Sequence, residues 1–182
     1  MVEIADIEIG QVIRDEFDDI TRDLLKDYAN ASGDTNPIHT RDDIAIKSGL
    51  KGVIAHGLFS LGFITKLFED FLDHENDGKL IEIDVDMVGM VRCGDTLVTE
   101  GKVTKIGGNM VYLDIVQRTI TPIHIKDSNG NIIEQFEAGE RGYISEKDRE
   151  RNLVHEKEVD KGILTYRDRV ATKGSAIIQL NN

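Results

Sequence analysis

Cysteine is nearly missing from this chain: Cys93 stands alone among 182 residues, so no intrachain disulfide is available. No Cys/His cluster has the spacing of a zinc site, no metal is expected, and a reducing cytoplasm is the expected setting. Basic residues are scarce as well. There are 22 Lys and Arg against 34 Asp and Glu, and the formal charge of −12 repels a phosphate backbone. Nucleic-acid binding is thereby set aside, and any anionic ligand must be held by local groups. The most hydrophobic stretch, residues 53–72, carries His56, Lys66, Glu69 and Asp70, which marks a buried helix rather than a membrane span. The N-terminus is acidic and alternating, where a signal peptide would be basic and then apolar. There is no internal repeat.

What is present suits one globular domain. An apolar fraction of 40% with 31% charged residues fits a folded chain, and the length supports one core rather than two. Ile4, Ile7, Ile9 and Val12, followed by the acidic run Asp15 to Asp19, suggest an early strand with a turn. Thr21 is a good N-cap for a short helix through Leu24, Leu25 and Tyr28, which Gly33 would close. Pro37 restricts Asn36 to extended geometry, so 34–39 should be a loop. A second helical signal begins within 48–57 and runs to Leu72, apolar on nearly every face, and so central to the core. Ile81, Ile83, Val85 and Met87 alternate with acidic residues as in a half-buried strand. Residues 97–105 and 110–120 read as a hairpin through Gly107-Gly108-Asn109, and 132–144, with Phe136 and Tyr143, as a further strand. Strands following a buried helix predict an α+β layout with the sheet curled round the helix. Residues 145–161 are mostly charged and read as a solvated helix or linker, and the last twenty either dock as a strand or stand apart. The expected organisation is a domain over 1–145 and a charged extension over 146–182.

Chemistry concentrates in 28–39, where Asp34 and His39 lie five positions apart around Pro37. Two readings fit. Asp34 can be a turn former bonded to its own backbone and His39 a structural histidine, or the two can be an acid/base pair built into a bend. Ala55-His56-Gly57 stands at the entrance of the apolar helix, where unpaired backbone N–H groups can receive developing negative charge. Glycine there lets a ligand approach the backbone closely.

These residues resemble the MaoC-like branch of the hotdog-fold enzymes, the (R)-specific enoyl-CoA hydratases also called hydratase 2. The resemblance rests on Tyr28, Ala31-Ser32-Gly33-Asp34-x-Asn36-Pro37-Ile38-His39, Ile54-Ala55-His56-Gly57 and Gly94-Asp95-x-Leu97, and covers roughly residues 10–145. It implies a single hotdog domain, an antiparallel sheet wrapped round a long central helix. Asp34 and His39 would activate and orient one water, and the Gly57 N–H would hold the thioester carbonyl. Thr65 matches a position whose hydroxyl supports the aspartate; the other reading is a hydroxyl bonded to the preceding helical turn. Asn36 reads as a loop brace. His56 lines the acyl pocket or caps the helix, the structural role being favoured. The family's Phe and Pro before Gly94-Asp95 are replaced by Met87 to Cys93, which alters pocket shape more than chemistry.

The implied reaction adds water to a trans-2-enoyl thioester, giving an (R)-3-hydroxyacyl thioester, or runs in reverse. No redox or metal cofactor is required, and the substrate is an acyl-CoA or an acyl chain on a carrier protein. Lys47, Lys51, Arg92 and Arg118 are candidates for CoA phosphates among many solubilising cations. Rival readings are a thioesterase, a non-catalytic acyl-thioester-binding subunit, and a regulatory ligand-binding module. One curled sheet leaves an edge and a helix face for a second copy, so a homodimer or higher oligomer is expected.

Overall fold

Two long strands, β4 (Met110–Lys126) and β7 (Gly162–Leu180), form the spine of the computed structural model, which describes residues 3–18, 20–73, 77–136 and 144–181. They pair antiparallel from Met110 opposite Gln179 to Lys126 opposite Ile163. Flanking them are β1 (Val12–Phe17), β2 (Gly78–Met87) and β3 (Thr96–Gly107), in the order β1-β3-β4-β7-β2. Short strands β5 (Ile132–Gln135) and β6 (Val154–Val159) extend β4 and β7. The helices are α1 (Arg22–Ser32), α2 (Asp42–Lys47), α3 (Gly57–Phe71) and α4 (Glu146–Glu150). α3 packs against β1, β2 and β3. This is the expected α+β hotdog.

Period-two burial in β4 explains how sheet and helix meet. Val111, Leu113 and Ile115 point inward onto Ile64 and Phe68 of α3, Leu72 just after it, and Ile178 of β7. Fully burying one such side chain contributes roughly 1.5–3 kcal/mol. The same inward phase continues through Gln117, Thr119 and Thr121, so the sheet is lined with polar groups beside the N-terminal half of α3. A second apolar cluster, including Ile20, Leu25, Ala45, Ala55, Phe59 and Leu97, binds α1, α2 and the segment entering α3.

Several elements depart from expectation. The second helix starts at Gly57 rather than within 48–57, because Gly49 and Gly52 take positive φ (85° and 142°) and Ile54 forms a bridge with Arg92. Residues upstream form their own short helix, α2, which the pattern concealed. Asp15 and Glu16 lie in β1 rather than in a turn, with Arg14 on that strand donating to Glu100 of β3 at 2.9 Å. In β2 a bulge at Ile81 shifts the phase, so Leu80, Ile83 and Val85 pack inward while Ile81 is exposed. The strand expected over 132–144 ends at Gln135, and Tyr143 lies outside the described residues.

The C-terminal segment supplies α4, β6 and β7. β7 lies between β4 and β2, hydrogen-bonded on both sides, because its buried Ala171, Ala176, Ile178 and Leu180 complete the inner face. Among the described residues no helix is long and apolar enough to cross a membrane.

Candidate active site

The site begins where α1 ends. Thr21 caps that helix, its hydroxyl accepting from the Leu24 N–H at 3.2 Å, and Gly33 closes it at φ 76°. The chain then braces itself through a ladder of short polar contacts. Asp34 N–H donates to Ser32 Oγ at 3.2 Å, Asn36 N–H to Asp34 Oδ1 at 3.2 Å, and Ile38 N–H to Asn36 Oδ1 at 3.3 Å. Asn36 is thus the N-cap of a 3-10 turn over Pro37–His39. The expected loop is therefore a folded bend that carries Asp34 and His39 on its two sides.

His39 is buried, and its Nδ1 donates to the Ile54 carbonyl at 2.8 Å. In the neutral ring that bond leaves the lone pair on Nε2. His56 is also buried, and its Nε2 donates to the Asp34 carbonyl at 2.9 Å, while its Nδ1 has no hydrogen-bond partner among the described residues. The two imidazoles stack, with centroids 3.8 Å apart and planes 26° apart. One ligand-type atom from each of Asp34, His39 and His56 lies within 4.8 Å of the others. Three such groups could offer atoms to a cation. His39 Nδ1 and His56 Nε2 are bonded to carbonyls, which fixes both rings and leaves His39 Nε2 and His56 Nδ1 as the nitrogens open to a cation or a proton.

Sequence position alone made His56 a candidate helix cap. It occupies the N-cap position of α3, but its side chain makes no capping bond and reaches back to the Asp34 bend instead. Tyr28 packs on His56 (centroids 5.0 Å apart) and edge-on to Phe59 (5.5 Å), and Phe63 and Phe17 continue that aromatic wall.

Gly57 opens α3 directly after His56 and is exposed. Its N–H belongs to the first helical turn, where backbone donors have no intrahelical acceptor. A Cβ at Gly57 would lie 2.5 Å from Met87 Sδ, so the thioether occupies the space a side chain would need. Thr65 is half-buried two turns further along, and its hydroxyl donates to the Gly62 carbonyl at 2.9 Å. It is therefore bonded to the preceding turn of its own helix.

Sequence reasoning missed the group beneath the helix. Gln117 of β4 is fully buried and its Nε2 donates to the Ser60 carbonyl and to Thr99 Oγ1, both at 3.0 Å. Ser60 in turn donates to the Gly57 carbonyl at 2.8 Å, tying the first turn of α3 to the sheet. A glutamine in phase with Val111, Leu113 and Ile115 was the available signal. Of the four candidate cations, Arg118 pairs with Glu100 and Asp168, Lys47 and Lys51 are exposed, and Arg92 lines a cavity beside Met87.

With the bend, the paired histidines and the helix entrance in place, the match to known proteins becomes informative. The description "MaoC like domain" fits residues 6–125. The chain belongs to the MaoC-like domain family. It is 38% identical over 93 residues to the fatty acid synthase beta subunit TOXC of Cochliobolus carbonum, and 39% identical over 88 residues to the peroxisomal hydratase-dehydrogenase-epimerase of Neurospora crassa. These matches cover 50% and 48% of this chain but only 4% and 9% of those much longer proteins. Among solved structures, an (R)-hydratase from A. caviae involved in PHA biosynthesis superposes with a TM-score of 0.63 at 16% identity, covering 96% of this chain and 98% of that one. The R-hydratase PhaJ1 from Pseudomonas aeruginosa gives 0.65 at 19% identity, covering 98% and 84%. At that identity the MaoC-like chain shares the fold with them.

Proposed function

We propose that this MaoC-like chain hydrates trans-2-enoyl thioesters, taking acyl-CoA substrates to (R)-3-hydroxyacyl products, or catalyses the reverse dehydration. The observation that carries the reading is the set of hydrogen bonds at His39: its Nδ1 is committed to Ile54, leaving Nε2 as a proton acceptor in the cluster that holds the Asp34 carboxylate. Names of the similar proteins that include "hydratase" support it.

In the proposed reaction, Asp34 and His39 hold one water against the β-carbon. The hydroxyl adds there, His39 Nε2 takes the proton, and a proton returns to the α-carbon. Electron density moves onto the thioester oxygen, which the Gly57 N–H receives. One such preorganised donor contributes about 3 kcal/mol, and each proton-transfer group roughly a hundredfold or more in rate. This chemistry calls on proton transfer and hydrogen bonding, with CoA entering only as part of the substrate. A second copy of the chain is the proposed partner: among the described residues β2 has a partner strand on one side only, and Leu58 on α3 is 64% exposed.

The test is loss of enoyl absorbance from crotonyl-CoA, measured beside free thiol release. Wild type should consume the enoyl group without releasing thiol, and Asp34→Asn and His39→Ala should each lose about a hundredfold or more. Thiol release without hydration would establish the thioesterase reading instead.

A further inference from the structure

An open cavity of about 710 Å³ is lined in part by Met87, the residue whose thioether lies against Gly57 at the start of α3. Pockets of roughly 300–1,000 Å³ suit ligands the size of a nucleotide. Its wall combines four cations, Arg92, Lys147, Arg151 and Arg169, with one carboxylate, Asp148. In a chain of formal charge −12, that concentration of positive charge in one concavity is local and opposite in sign to the whole. Met87, Met90 and Val170 supply apolar surface to the same wall.

The wall is built rather than loose. Asp148 is 3% exposed and closes a capping box with Ser145, whose hydroxyl donates to Asp148 Oδ2 at 2.8 Å. Oδ1 accepts from Arg169 at 2.5 Å, and Arg167 stands 3.5 Å from Oδ2. α4 is thereby pinned to β7 by a buried carboxylate between two arginines, and Lys147 and Arg151 are carried on that fixed segment. The segment lies outside residues 6–125, which match the family.

We propose that this cavity is an anion subsite for the phosphorylated nucleotide end of a CoA thioester, with Lys147 and Arg151 as its specificity-determining residues. The inference rests on the acyl-thioester reading above for the choice of ligand. In this reading Lys147 and Arg151 meet the phosphates, and Met90, Val170 and Met87 of the same wall offer apolar contact to the connecting arm, Met87 being also the neighbour of Gly57.

The experiment compares crotonyl-CoA, crotonyl-4′-phosphopantetheine and crotonyl-pantetheine as substrates, with calorimetric titration of CoA itself into wild type and into Lys147→Ala/Arg151→Ala. Wild type should prefer the CoA ester over both truncated esters, and the double variant should bind CoA about tenfold more weakly and lose most of that preference. Added salt should weaken CoA binding in wild type more than in the variant. Equal CoA affinity in the two proteins, or equal use of the phosphopantetheine and CoA esters by wild type, overturns the subsite. If CoA binds wild type tightly and the variant poorly while no ester is hydrated, the subsite stands and the hydration reading falls.

Discussion

His39 and His56 stack face to face, 3.8 Å between centroids, yet commit opposite nitrogens: Nδ1 of His39 to Ile54 and Nε2 of His56 to Asp34. In the proposed reaction His56 would act through the shape of the bend, as a positioning residue. Replacing it with alanine leaves the Asp34 carbonyl without its donor and a void against Tyr28. His56→Ala should cost roughly 2 kcal/mol of stability in urea denaturation. Hydratase turnover should fall about tenfold or more because Asp34 is no longer held. If turnover is unchanged while stability drops, the carbonyl bond does not position the carboxylate.

Gly57 and Met87 give a second test. Because the missing Cβ would meet a flexible thioether rather than backbone, Gly57→Ala should fold with stability within about 1 kcal/mol of wild type. Activity should fall roughly tenfold as the displaced Met87 crowds the N–H. Gly57→Ala/Met87→Ala should recover most of it. Failure to recover would mean that a ligand approaches the Gly57 Cα itself.

Much of this arrangement was legible in the sequence, for identifiable reasons. The α1 cap at Thr21 and its close at Gly33 are local rules, and local rules held. The Asp34 to His39 bend was legible because Asn36 and Pro37 constrain their own backbone. The bulge at Ile81 was hidden because it is set by pairing with β7, far along the chain, where Glu82 lies opposite Ile177. Likewise the residues of β7 read as marginal alone, since their burial depends on strands on both sides. His56 looked like a cap because helix entrances usually need one; its actual partner, the Asp34 carbonyl, is a tertiary contact with no spacing rule.

Gln117 should prove essential to order in the first turn of α3. Gln117→Leu preserves bulk but leaves the Ser60 carbonyl and Thr99 hydroxyl without their buried donor, a cost of about 1–3 kcal/mol. Amide exchange at the start of α3 should quicken selectively, and kcat should fall more than KM rises. Uniformly faster exchange throughout the sheet would instead mark a general loss of packing.

Asp148 makes acid stability measurable at one residue. Burial alone would raise its carboxyl, but hydrogen bonds from Arg169 and Ser145 outweigh that and hold it at about 2, below its ordinary 3.8. A carboxyl that is more acidic when folded stabilises the fold above its unfolded value and loses that contribution as pH falls through its folded value. The linked contribution is about 2 kcal/mol, complete by roughly pH 5 and gone a little below pH 2. Asp148→Asn cannot titrate and also removes the carboxylate facing Arg167 and Arg169. It should therefore be less stable than wild type at pH 7 by about 3 kcal/mol or more. Denaturation series at steps between pH 7 and pH 2 should show the gap between the two proteins narrowing only in the acid range. A gap independent of pH would mean that the Asp148 carboxyl ionises alike in the folded and unfolded chains.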